Sequence, residues 1–161
     1  MSTAMNQAAF LTAIQYWNNG DLAAYLTLYD ANVALHGFAP DLPPGREGAR
    51  LFYEGIWAAF PRPRLIIQDI VMDADRLACR FQMEATHTGM FMGIPPTSKT
   101  VQVTGMTMLR FADGRCVERW NQADLFVHVE SAVTRALANP AQSVLPRLLV
   151  LRHGQPAESP R

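Results

Sequence analysis

R-L-A-C-R-F-Q-M-E-A-T-H-T-G-M, residues 76–90, alternates with a period of two. Leu77, Cys79, Phe81, Met83, Ala85 and His87 fall on one side. Ala78, Arg80, Gln82, Glu84, Thr86 and Thr88 fall on the other. Successive side chains of a strand point to opposite faces, so this pattern predicts a long, half-buried strand from Arg76 to Met90. Its neighbours read the same way. Leu65 to Met72 is a strand, turned by Asp73-Ala74-Asp75 into the first. Gly93 to Ser98 breaks the pattern, and Lys99 to Phe111 resumes it. Asp113-Gly114 is a tight hairpin signal leading into Arg115 to Leu125.

Upstream the period is helical. Phe10, Leu11, Ile14 and Trp17 share a face, and Asn18-Asn19-Gly20 ends that helix. Asn19 or Asp21 can cap a second short helix carrying Leu22, Tyr25, Leu26 and Tyr29. Val33 to Phe38 leans towards strand, and Arg46 to Phe60 is helical with a broad apolar face. A further helix is expected at about 127–137, and residues 139–161 read as a tail after a domain spanning 1–138. Helices followed by long hairpins predict an α+β fold with helices on one face of a curved sheet, an arrangement that leaves room for a pocket.

Composition narrows the function. Fourteen basic and fourteen acidic residues cancel, and no basic stretch occurs, so nucleic-acid binding is not expected. No apolar run approaches about 20 residues, which argues against a spanning helix. The N-terminal stretch lacks a charged region followed by an apolar core, so a cytoplasmic protein with reduced Cys79 and Cys116 is expected. Only 17% of residues are charged while 49% are hydrophobic, which points to a subunit interface or a large cavity.

Candidate chemistry lies on strands and strand ends. In E-R-W-N-Q-A-D, residues 118–124, a period of two places Trp120, Gln122 and Asp124 together. An aromatic beside a carboxylate raises its pKa and readies it for proton transfer. Asp124 could equally cap a helix starting near Phe126. His87 sits on the apolar side of its strand, either as a satisfied core residue or as an imidazole in a pocket. His36 ends the first strand, at a position open to a pocket or to solvent. His36, His87 and Asp124 have no metal-ligand spacing, so no metal is expected. L-L-V-L-R-H-G-Q, residues 148–155, resembles the opening of a histidine phosphatase domain, but too little chain follows it to build that domain.

W-N-N-G-D-L at Trp17, H-G at His36, G-R-E-G at Gly45 and A-F-P at Phe60 are joined by two longer matches. These are T-H-T-G-M-F-M-G-I-P-P-T-S-K, residues 86–99, and F-A-D-G-R-C-V-E-R-W-N-Q-A-D, residues 111–124. In these segments the chain resembles the SnoaL-like polyketide cyclases, within the group that shares the nuclear-transport-factor-2 (NTF2-like) fold. The resemblance covers about residues 8 to 130. It implies a cone-shaped α+β barrel, a homodimer, and ring closure by intramolecular aldol condensation of a small apolar carbonyl-bearing molecule, without cofactor. It also implies Asp124 as general acid and base. His87 and His36 are then candidate hydrogen-bond donors to the carbonyl. Trp120, Gln122, Phe52, Ile56, Met83 and Met106 are the expected pocket lining. Two departures stand out: the usual P-P-T-G-K reads Pro95-Pro96-Thr97-Ser98-Lys99 here, and the C-terminal tail is not part of the family's pattern.

Overall fold

The computed structural model describes residues 2–124 of the chain. The helix expected at 127–137 and the tail lie outside the described residues. Helix α1 (Thr3–Asn18) is capped by Ser2, whose hydroxyl accepts from the Met5 amide. It ends at Gly20, whose φ of 83° suits a residue without Cβ. Helix α2 (Leu22–Leu26) is capped by Asp21, one of the two residues its sequence offers for that position. Tyr29, expected on that helix, instead opens strand β1 (Tyr29–His36) and is fully buried there. Helix α3 (Gly45–Ala59) follows. Strands β2 (Arg64–Asp73), β3 (Arg76–Thr86), β4 (Thr100–Ala112) and β5 (Arg115–Ala123) complete the order.

The strands form one curved sheet in the order β1-β5-β4-β3-β2. Neighbours are antiparallel except β1 and β5, which run parallel. The sheet is open, with β1 and β2 at its edges, so the expected barrel is not closed. Alternation in β3 is realised: Leu77, Cys79, Phe81, Met83 and Ala85 are buried, while Arg80 and Thr86 are exposed. β3 stops at Thr86 rather than Met90. His87 still pairs with the far side of the excursion, its amide donating to Lys99 O and its carbonyl accepting from the Ser98 amide.

Helices α1 and α3 cover the inner face. Phe10, Ile14 and Trp17 of α1 and Ala49 and Tyr53 of α3 join Leu77, Phe81 and Leu109 of the sheet in one core. Polar contacts fix the helices in place. The Asn18 carboxamide donates to Leu65 O at 2.9 Å and accepts from the Leu65 amide at 2.8 Å, pairing the end of α1 with the edge of β2. Trp17 Nε1 donates to Pro63 O at 2.6 Å. Beyond β3, the amides of Thr88 and Gly89 both donate to Ala59 O at the end of α3.

Candidate active site

The site is positioned by an irregularity in β5. Phe111 pairs with Cys116, but Arg110 pairs with Glu118, so Val117 is an extra residue. A β-bulge of this kind resets which residues face which side. Cys116 is buried on the inner face, and beyond the bulge the inward residues are Arg119, Asn121 and Ala123. Trp120 and Gln122 therefore face outwards.

Those three inward residues wall a cavity of about 60 Å³, room for several water molecules or a small polar group. Its apolar lining is Phe52 and Ile56 of α3, Leu65 of β2, Phe81 and Met83 of β3, and Val103 of β4. Trp17, Tyr25 and Tyr53 close it from the helical side. Their rings meet edge to face, with Trp17 centroids 5.0 Å from Tyr25 and 5.3 Å from Tyr53.

Arg119 is the charge in this cavity. It is only 6% exposed. Its Nε donates to Thr107 Oγ1 at 2.9 Å, and Thr107 in turn donates to Trp120 O. Its Nη1 donates to the Tyr25 hydroxyl at 2.8 Å and to the Tyr29 hydroxyl. Tyr29 Oη also lies 3.1 Å from Tyr25 Oη and 3.0 Å from Tyr53 Oη. Burial pushes the Tyr29 and Tyr53 phenols well above their ordinary 10, although Arg119 pulls the other way. Both phenols thus stay neutral at ordinary pH. Burial opposes the charge on Arg119, but the oxygens of Tyr25, Tyr29 and Tyr53 outweigh it and hold the guanidinium well above its usual value. No carboxylate among the described residues pairs with it. An unpaired buried cation costs several kcal/mol, and this one is offset by its hydrogen bonds and by the Tyr29 and Tyr53 rings, each with its centroid 5.8 Å from the guanidinium carbon.

The expected site residues divide between the two faces. Phe52, Ile56 and Met83 line the cavity. Trp120, Gln122 and Met106 lie on the outer face, and Met106 is 61% exposed. Asp124 follows Ala123, its amide donating to Thr104 O. Its side chain is exposed, so the expected burial beside Trp120 is corrected. His36 also faces outwards. Its ring stacks on Trp120 at 5.0 Å, and its Nε2 lies 3.0 Å from Glu118 Oε1. His87 is buried, its ring stacked on Phe60 at 5.1 Å and its Nδ1 3.2 Å from Thr97 Oγ1. Its Nε2 has no hydrogen-bond partner among the described residues. His36, His87 and Asp124 are not brought together, and the described residues contain no group of three His, Cys, Asp or Glu that could hold a metal. Among the described residues, no helix is long and apolar enough to cross a membrane.

Sequence reading missed Arg119, Asn121 and the tyrosines. Counting by twos from Cys116 gives the outer face, and only the bulge at Val117 corrects it. The available signal was an arginine flanked by strand residues that also alternate plausibly on the other register.

The family of SnoaL-like polyketide cyclases matches residues 7–129. No curated protein matches significantly. Among solved structures, AclR, a proposed hydroxylase from Streptomyces galilaeus, is 30% identical with a TM-score of 0.70, covering 81% of this chain and 98% of its own. IdmH, a proposed polyketide cyclase from Streptomyces antibioticus, is 29% identical with a TM-score of 0.68, covering 80% and 98%. A SnoaL-like protein from Jannaschia sp. CCS1, 20% identical with a TM-score of 0.69 and coverage of 79% and 90%, shares the fold. With the match extending from α1 past Asp124, the chain belongs to the SnoaL-like polyketide cyclase family.

Proposed function

We propose that the chain is a cofactor-independent, polyketide-cyclase-like enzyme acting on a small apolar carbonyl-bearing molecule. Its reaction is intramolecular aldol condensation, or a related proton transfer at a carbon next to carbonyls. The observation that carries this reading is the position of Asp124. It comes directly after Ala123, the last β5 residue on the cavity wall, which brings the chain at Asp124 to the rim of the cavity with its side chain exposed.

The chemistry follows from that placement. The Asp124 carboxylate takes a proton from the carbon between two carbonyls. The resulting enolate attacks a second carbonyl of the same molecule, a carbon–carbon bond forms, and the new alkoxide takes the proton back. Apolar walls exclude water and strengthen every hydrogen bond to the developing oxyanion. His87, whose buried Nε2 has no hydrogen-bond partner among the described residues, does not line the cavity, so a bond from it to the oxyanion is the part of the proposal that His87→Ala tests. His36 is committed to Glu118 outside and takes no part. Arg119 precedes Asp124 by five strand residues, roughly 17 Å, so one enolate does not touch both.

The exposure of Asp124 favours a second reading: a non-catalytic small-molecule-binding module of the same fold. A ketosteroid-isomerase-like isomerase or an epoxide hydrolase would use the same carboxylate differently. Deuterium exchange at the acidic carbon of β-dicarbonyl compounds separates these readings. Asp124→Asn is expected to slow exchange by about 10²–10⁴. A folded Asp124→Asn protein with the wild-type rate sinks the proposal, and an unchanged rate in His87→Ala removes His87 from it.

A further inference from the structure

We propose that Arg119 is the anchor for an anionic group, binding the carboxylate or enolate head of a flat, conjugated ligand inside the cavity. The inference goes beyond the proton-transfer reading and rests on the cavity, not on Asp124.

A guanidinium has five N–H donors in one plane. Thr107 takes the Nε donor, and Tyr25 and Tyr29 take those of Nη1. The Nη2 donors have no hydrogen-bond partner among the described residues, while Arg119 as a whole is 6% exposed and lines the cavity. An arginine kept only for structure would turn this edge to a carboxylate or a backbone carbonyl. Here the edge belongs to a residue whose nearest oxygens are phenols, and neutral phenols orient the cation without cancelling its charge.

The surroundings complete a recognition surface. Asn121, the next inward residue on β5, also lines the cavity. Its carboxamide makes no side-chain hydrogen bond to a described residue, so its NH₂ is available beside the guanidinium. Arg binds carboxylates through paired N–H donors, and an amide adds a third. Trp17, Tyr53 and Phe52 supply ring faces and edges to a planar body attached to that head. The 60 Å³ beside Arg119 and Asn121 suits the head and its adjoining atoms rather than a whole multi-ring skeleton.

Calorimetric titration of the full chain with benzoate and with benzamide tests this, since the two share one ring and differ in charge. Wild type is expected to bind benzoate at least about tenfold more tightly, a difference of about 1.4 kcal/mol. Arg119→Met should erase that preference, and Asn121→Leu should weaken benzoate alone. Equal affinities in wild type, or no benzoate binding at millimolar concentration, would overturn the proposal even if Arg119→Met fails to fold. So would a folded Arg119→Met protein that keeps the preference. Asp124→Asn should keep the preference intact, so loss of exchange and loss of anion binding are read separately.

Discussion

Glu118 joins two partners on the outer face, His36 Nε2 at 3.0 Å and Arg110 Nε at 3.0 Å. The hydrogen bond from His36, then that from Arg110, holds its carboxyl below the ordinary 4.5. Because the folded value is the lower one, the bridge contributes fully above 4.5. That contribution disappears as pH falls through the folded value. The melting temperature of Glu118→Gln should therefore lie below wild type near neutral pH, and the two should converge in acid. A gap that persists unchanged in acid would show that the bridge is not its source. The two sides of this strand differ in how readable they were. Glu118, Trp120 and Gln122 look like a functional row, because an aromatic among polar residues usually marks a site. Arg119 looks like a surface cation, since a lone charged residue is almost never fully buried. Only its partners, brought from residues 25, 29, 53 and 107, account for its burial, and no local pattern encodes them.

Elements whose pattern is local were legible. The alternation of β3, the Asp21 cap of α2 and the Asp113-Gly114 turn, with φ of 48° and 75°, all follow from short-range rules. The register between strands did not, because bulges in β1–β5, β2–β3 and β4–β5 pairing each shift it without a sequence mark. Ser98 shows the opposite case. The similar motif carries glycine there, and Ser98 adopts a φ of 55°, a conformation that disfavours a side chain. Gly37 holds β1 against the site. Its φ is 76°, and an added Cβ would meet the Asn121 carbonyl oxygen at 2.1 Å. Gly37→Ala should destabilise the fold by about 1–3 kcal/mol in urea unfolding and disturb the cavity wall at Asn121. An unchanged midpoint would show that β1 moves freely relative to β5.

At the scale of the molecule, the sparse charge predicted either an interface or a cavity, and the two faces of the sheet address both. The inner face holds the cavity. The outer face carries an apolar row in register across four strands: Val71, Ala78, Met108 and Trp120. Val71 is 69% exposed. We propose that this row is where two copies of the chain meet. Light scattering should give twice the chain mass of 17.9 kDa, and Met108→Lys should halve it. A single-chain mass for wild type would rule out the dimer. Sequence indicated the helices-on-sheet architecture, because element order and period are enough for it. It did not indicate which face of β5 met the helices, because one extra residue decides that.

Proton transfer at Asp124 is the step on which the proposed reaction depends. Deuterium incorporation into ethyl acetoacetate by wild type and by Asp124→Asn measures it. Wild type is expected to accelerate exchange above buffer, and folded Asp124→Asn to fall back towards the buffer rate. Full acceleration by a folded Asp124→Asn protein would place the reacting carbon elsewhere.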